Sequence, residues 1–158
     1  MNMYRGIIGA VLMMTIIVCF SELGHAQKKG TITVQAKNFT RGSGIEVGRV
    51  PEWGLTTIHN APPYTPRANV AEYDFNAVAG NYRLDVEYAA AESRPVEISI
   101  NGIPVTADGL AAATGGWSDT HQRWLTQVTV QLNTGLNTLR FKRDNYFPHI
   151  RAFRLVPQ

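Results

Sequence analysis

Residues 81–90 read NYRLDVEYAA and contain the clearest structural signal in this chain of 158 residues. Large apolar residues occupy every second position from Tyr82 to Tyr88, and polar or charged residues occupy the positions between them. Side chains of a β-strand alternate between two faces. The pattern therefore predicts a strand with one buried face and one polar face.

Similar patterns lie on both sides of this stretch. The other segments with strand character are residues 31–37, 69–75, 96–100, 125–132, 136–142 and 149–156. Asn101 and Gly102 follow one of them and predict a tight hairpin, because both residue types tolerate a positive φ. No stretch of twelve residues keeps a helical period. Short strands separated by Gly, Pro and Asn predict an all-β sandwich or barrel.

Three segments are predicted to be irregular, namely residues 41–67, 108–123 and 143–148. Two of them are long. Long loops on a rigid β-scaffold commonly carry the functional residues. The sequence therefore directs the search for a site to these loops.

The first 26 residues have the layout of a secretory signal peptide. Arg5 precedes an apolar run over residues 7–20, and small residues stand at Gly24 and Ala26. A membrane span usually needs about 18 or more apolar residues, and this run is shorter. We expect cleavage after Ala26, which leaves residues 27–158 as one exported domain with no membrane segment.

Cys19 is the only cysteine of the chain. A lipid-anchored cysteine is the alternative interpretation, but the residue before such a cysteine is normally small and here it is Val18. After cleavage the domain contains no cysteine and no disulfide. This cysteine usage favours a bacterial periplasmic or secreted protein.

The charges argue against a nucleic-acid partner. The chain has 15 Lys and Arg against 12 Asp and Glu, and they are scattered along the sequence. Basic tracts that bind nucleic acid or anionic membranes are clustered, so neither partner is expected.

Four stretches together carry a resemblance to a known family. They are AEYDFNAVAGNYRLDVEYA at 71–89, VEISINGIPV at 96–105, TGGW at 114–117 and LTQVTVQLNTGLNTLRFKR at 125–143. In order and spacing this pattern resembles the carbohydrate-binding modules of families 6 and 35. The resemblance implies a galactose-binding-like jelly-roll β-sandwich that binds a polysaccharide or oligosaccharide without catalysis.

Two positions depart from that family pattern. The resembling families usually carry acidic ligands of a structural calcium ion where this chain has Lys37 and Arg151. Calcium is held by several oxygen ligands, with carboxylates supplying negative charge. Lys and Arg supply neither, so the usual calcium site is expected to be lost and no cofactor is predicted.

Two tryptophans are candidate sugar contacts. The resemblance makes Trp117, in the TGGW loop, a platform for a sugar ring, and a flat aromatic suits the C–H face of a sugar. The alternative is that its ring folds back over the core. Trp124 begins an alternating stretch, so a core position competes with a binding role there.

Three further loop residues complete the predicted site. The resembling families use an Asn from the loop before the last strand, here Asn145, whose amide both donates and accepts hydrogen bonds. A turn-forming role is the alternative for Asn145. Tyr146 follows it and is either a second platform or a loop anchor. Tyr64 lies among three prolines that stiffen its loop. The resemblance makes it a candidate for the other wall of the cleft, with a structural role as the alternative.

Two other function classes are weighed against glycan binding. A structural or protein-interaction module of a surface or periplasmic complex is the first alternative. An enzyme is the second, but His59, His121 and His149 show no metal-ligand spacing and no nucleophile motif is present. The prediction is a non-catalytic module, and the sequence does not identify the glycan or a partner glycoside hydrolase.

Overall fold

The computed structural model describes residues 29–49 and 51–158. These residues form eleven β-strands and three 3-10 turns, and they contain no α-helix. The strands are β1 Ile32–Gln35, β2 Arg41–Ser43, β3 Ile45–Val47, β4 Ile58–Asn60, β5 Asn69–Ala77, β6 Gly80–Ala89, β7 Val96–Ile100, β8 Ile103–Gly109, β9 Arg123–Leu132, β10 Gly135–Arg143 and β11 His149–Pro157. The predicted signal peptide and Cys19 lie outside the described residues.

The strands are arranged in two antiparallel sheets. One has the order β3-β4-β11-β6-β9, with β1 also paired to β11, and the other has the order β2-β5-β10-β7-β8. The two sheets pack face to face as a jelly-roll sandwich, so the predicted fold class is confirmed. Among residues 29–49 and 51–158, no helix has the length and apolar character needed to cross a membrane.

The core lies between the two sheets. The alternation that predicted β6 is confirmed, because Tyr82, Leu84, Val86 and Tyr88 are all at most 1% exposed. Aromatic rings from both sheets meet edge to face at the centre, and the centroids of Tyr73 and Phe153 are 4.9 Å apart. Such pairs add a favourable electrostatic contribution to the burial of apolar area.

One part of the strand prediction was wrong. Residues 41–67 were expected to be irregular, but they contain the three short strands β2, β3 and β4. Each has only three residues, which is too short for an alternating pattern to appear. Their pairing with β5 and β11 depends on residues far away in the sequence.

The connections divide the sandwich into two unlike ends. At one end the strands are joined by tight turns at Val78–Ala79, Asn101–Gly102 and Asn133–Thr134. The predicted hairpin is among them, with φ of 52° at Asn101 and 80° at Gly102. The opposite end, called the loop end below, carries the segments 61–68, 90–95, 110–122 and 144–148. Residues 48–49 and 51–57 belong to the connection between β3 and β4, which leaves these strands on the side away from the loop end, because Val47 pairs with Ile58 and Ile58 with Ile150.

Candidate functional site

Four of the five predicted site residues lie in segments of the loop end. Trp117 comes from the connection between β8 and β9, Asn145 and Tyr146 from that between β10 and β11, and Tyr64 from that between β4 and β5. The antiparallel register brings the ends of these strands to one edge of the sandwich. Trp124 is the exception, because it lies within β9.

Trp117 is partly buried and packs against the core. Its chain position is fixed by its neighbours. A side chain at Gly116 would meet His121 Nδ1 at 2.6 Å, so only glycine fits there. The Trp117 carbonyl accepts a 2.8 Å hydrogen bond from His149 Nδ1. The ring is therefore held in place by both the core and the last strand.

Arg94 covers one face of the Trp117 ring. Its Cζ lies 3.8 Å from the ring centroid and 5.4 Å from the centroid of Tyr146. The guanidinium also donates to the carbonyl of Phe147 and to the carboxylate of Glu92, at 3.0 and 2.8 Å. Arg94 thus joins Trp117 to Tyr146, a link that the sequence did not predict.

Asn145 is exposed beside a cleft. Its Oδ1 accepts from the Tyr146 amide at 2.7 Å, and its carbonyl accepts from the buried Asn69 at 2.6 Å. No acceptor among the described residues bonds its side-chain Nδ2. The adjacent cleft has a volume of about 390 Å³ and is lined in part by Lys142, Arg143 and Asp144. Small-molecule sites span roughly 300–1,000 Å³, so the cleft is large enough to hold a ligand.

Tyr64 lies at the loop end but outside this group. Its side chain is 50% exposed, and its hydroxyl donates to Glu46 at 3.1 Å. The Tyr64 loop is joined to the Asn145 loop through hydrogen bonds of Asn69 and Asn60. The structure therefore brings the two loops together without placing the Tyr64 ring against Trp117 or Tyr146.

Trp124 lies on the outer face of the six-stranded sheet. It is 36% exposed and stands opposite Glu87 of β6. The guanidinium carbon of Arg154 is 4.6 Å from its ring centroid. The alternative core position for Trp124 is therefore wrong, because a bulge in β9 shifts the strand register beyond Thr126.

A second cavity lies at the tight-turn end. It has a volume of about 400 Å³, and its lining includes Gly30, Ala77 and Gly135. It offers one aromatic, the buried Tyr82, and no charged side chain. The loop end is the better candidate, because it combines exposed aromatics with several polar groups.

Cationic side chains, those of Lys37 and Arg151, stand at the expected calcium position. Arg151 NH1 lies 3.4 Å from a Glu87 carboxylate oxygen, and its other terminal nitrogen contacts the Asp119 carboxylate. The carboxylates that remain there are thus paired to a guanidinium. Lys37 is exposed on the neighbouring 3-10 turn, Ala36–Asn38. Within residues 29–49 and 51–158, no group of three or more His, Cys, Asp and Glu side chains is placed to hold a metal ion.

Comparison with known proteins identifies relatives by fold. No family model matches the sequence. No curated protein matches it either. Solved structures do match, among them a family 35 carbohydrate-binding module from Paenibacillus barcinonensis with a TM-score of 0.67 and 23% identity, covering 80% of this chain and 99% of that one.

Two family 35 carbohydrate-binding modules from Clostridium thermocellum match as well. One has a TM-score of 0.67 and 20% identity over 82% of this chain and 99% of that chain. The other has a TM-score of 0.61 and 25% identity over 79% and 98%. The resemblance predicted from the sequence is confirmed at the level of the fold, and the chain matches these modules over almost their whole length.

Proposed function

We propose that this protein is a non-catalytic carbohydrate-binding module that holds a glycan at the loop end. The observation that carries the proposal is the convergence of Trp117, Arg94, Tyr146 and Asn145 at one edge of a fold shared with family 35 carbohydrate-binding modules. The expected ligand is a polysaccharide or oligosaccharide.

The proposal gives each of these residues a different task. Tyr146 is partly exposed and offers an aromatic surface for the C–H face of a sugar. The Asn145 amide and the charged side chains of the cleft offer donors and acceptors for hydroxyl groups. Trp117 supports the Arg94 guanidinium from below, because that group lies on its ring. In this arrangement Trp117 orients a polar contact as well as contributing apolar surface.

The protein is proposed to act after export, in the periplasm or outside the cell. The apolar run over residues 7–20 and the small residues at Gly24 and Ala26 support this location. Mass spectrometry of the exported protein tests it. A first residue of Gln27 is the expected result, and a retained, lipidated Cys19 would contradict it.

A glycan array probed with the exported chain tests the function. Binding to one class of glycan is expected, and titration calorimetry then compares Tyr146→Ala and Asn145→Ala with the parent. Loss of Asn145 should weaken binding by about one hydrogen bond, roughly 0.5–1.5 kcal/mol. Loss of the Tyr146 ring should cost roughly 1–3 kcal/mol, by analogy with other rings that stack on aromatics.

Ile103→Ala serves as the control, because Ile103 is 68% exposed at the tight-turn end. It should bind the glycan as the parent does. A parent protein that binds no glycan would overturn the proposal in favour of a protein-interaction module. Equal losses in all three variants would show that the loop end is not the site.

A further inference from the structure

His59 and His149 lie next to each other on adjacent strands of the six-stranded sheet. Ile58 of β4 pairs with Ile150 of β11 in an antiparallel register, which places His59 directly opposite His149. Both isoleucines are fully buried in the core. Successive side chains in a strand point to opposite faces, so both imidazoles point away from the core, side by side.

The hydrogen bonds of the two rings fix their tautomers. His59 Nδ1 lies 2.9 Å from the Asn60 carbonyl oxygen, and His149 Nδ1 lies 2.8 Å from the Trp117 carbonyl oxygen. A carbonyl oxygen only accepts, so both Nδ1 atoms carry a proton, and in the neutral form of each ring Nε2 carries the lone pair. His59 Nε2 is buried and has no hydrogen-bond partner. Histidines that bind metals typically donate their other N–H to a backbone carbonyl in this way.

The separation of the rings suits a shared metal ion. Their centroids are 5.4 Å apart. Two imidazoles bound through nitrogen at about 2.0–2.1 Å to one tetrahedral ion have centroids roughly 5 Å apart. Both side chains are held on strands and are only 4% and 9% exposed. Little rearrangement of the backbone is therefore needed to bring both lone pairs to one ion.

The groups around the pair are Arg94 and the aromatic rings of Trp53 and Trp117.

We propose that His59 and His149 form a two-histidine site for a divalent transition-metal ion such as Zn²⁺. The ion is bound through the two Nε2 atoms, and water completes its coordination. Gln122, which donates to the His149 carbonyl, has a buried Oε1 without a partner. The proposal is independent of glycan binding.

Trp53 covers the pair from solvent. Its ring centroid is 5.5 Å from that of His59 and 5.6 Å from that of His149, and it is 41% exposed. A metal ion reaches the histidines only when this ring is displaced. Metal binding should therefore change the fluorescence of Trp53.

Zn²⁺ titration of the exported chain tests the site. Calorimetry should show one bound ion per chain. His59→Gln and His149→Gln should each reduce the affinity at least tenfold. His121→Gln is the matched control, because His121 lies at the same end but its Nδ1 is bonded to the Ser118 hydroxyl. Its affinity should equal that of the parent.

Histidine-ring nitrogen spectra of the parent protein provide a test that needs no variant. Zn²⁺ should shift the Nε2 signals of His59 and His149 and leave those of His121 in place. No binding to the parent, undiminished binding in both His59→Gln and His149→Gln, or a shift confined to His121 would each overturn the proposal. If either variant fails to fold, these spectra decide the question.

Discussion

Trp117 and Trp124 each lie against an arginine guanidinium, but the two pairs have different supports. Trp117 belongs to a loop, and the core and His149 hold it in place beneath Arg94. Trp124 belongs to a strand and lies on the open face of a sheet, with Arg154 above it. The same kind of aromatic–cation contact therefore helps to hold the loops together at Trp117 and is only a surface contact at Trp124.

The difference also appears in what anchors each arginine. Arg94 bonds a backbone carbonyl and the exposed Glu92. Arg154 bonds Asp85, a carboxylate only 2% exposed, which also accepts from Arg83 and Thr126. A buried acid thus organises the sheet-face pair, whereas the packed tryptophan itself organises the loop pair. Substitutions at four positions test this contrast, and the positions are ordered by expected effect.

Replacing Trp117 by Ala should have the largest effect. It removes a large ring from between the core and Arg94, and a loss of about 2–4 kcal/mol of unfolding free energy is expected. Glycan binding should be lost as well, because Arg94 no longer has its support. Urea denaturation measures the first effect and calorimetry the second. A variant of unchanged stability would show that the ring is only a surface platform.

Replacing Asp85 by Asn should lower the free energy of unfolding by about 2 kcal/mol at neutral pH. The pKa of Asp85 is lowered to about 2, first by the hydrogen bond from Arg83. Because the folded-state pKa lies below the ordinary value, this stabilisation is present above about pH 4 and is lost as the pH falls toward 2. Denaturation curves of both proteins across that range should therefore converge at low pH. A difference in stability that is independent of pH would contradict the conclusion that the ionised Asp85 carboxylate stabilises the fold.

Replacing Arg94 by Ala should lower the free energy of unfolding by roughly 1–2 kcal/mol, because it removes the contact with the Trp117 ring and the hydrogen bond to the Phe147 carbonyl. Lys at this position keeps the charge but loses the planar fork, so Arg94→Lys should recover only part of the loss. Near-ultraviolet circular dichroism should report the changed surroundings of Trp117. Full recovery by Lys would show that charge alone matters.

Replacing Trp124 by Ala should have the smallest effect and lower the free energy of unfolding by less than about 1 kcal/mol. The ring is exposed, and its neighbour Arg154 is held by Asp85. Chemical denaturation measures it. A loss as large as that of Trp117→Ala would mean that the two regions are equivalent and that the comparison fails.

The sequence predicted the regular part of the fold well, for a physical reason. In β6 the large apolar residues from Tyr82 to Tyr88 alternate with polar ones, so the order of residues within the strand is enough to predict it. The hairpin at Asn101 and Gly102 was predicted for the same reason, since the turn geometry depends on those two residues. The three-residue strands between Arg41 and Asn60 were missed because their order comes from pairing with distant strands.

The candidate site was predicted less completely. Trp117, Asn145 and Tyr146 were predicted as loop residues, and the resemblance to known modules implied roles for Trp117 and Asn145. Arg94 was missed because a cation–aromatic contact leaves no pattern in the sequence around it. The approach of His59 to His149 was missed as well, because it depends on the register of two strands that are distant in the sequence.

The two unlike ends of the sandwich have a practical consequence for attaching the protein to a surface. Gln158 bonds the backbone of Asn81 at the tight-turn end, and Ile32 pairs with Leu155 close to it. A tether attached at either of these points leaves the four loop-end segments facing away from the support. Many copies displayed in this orientation on a bead or scaffold would engage a repetitive glycan together. Avidity of that kind can strengthen attachment by about 10²–10⁴-fold without any new contact.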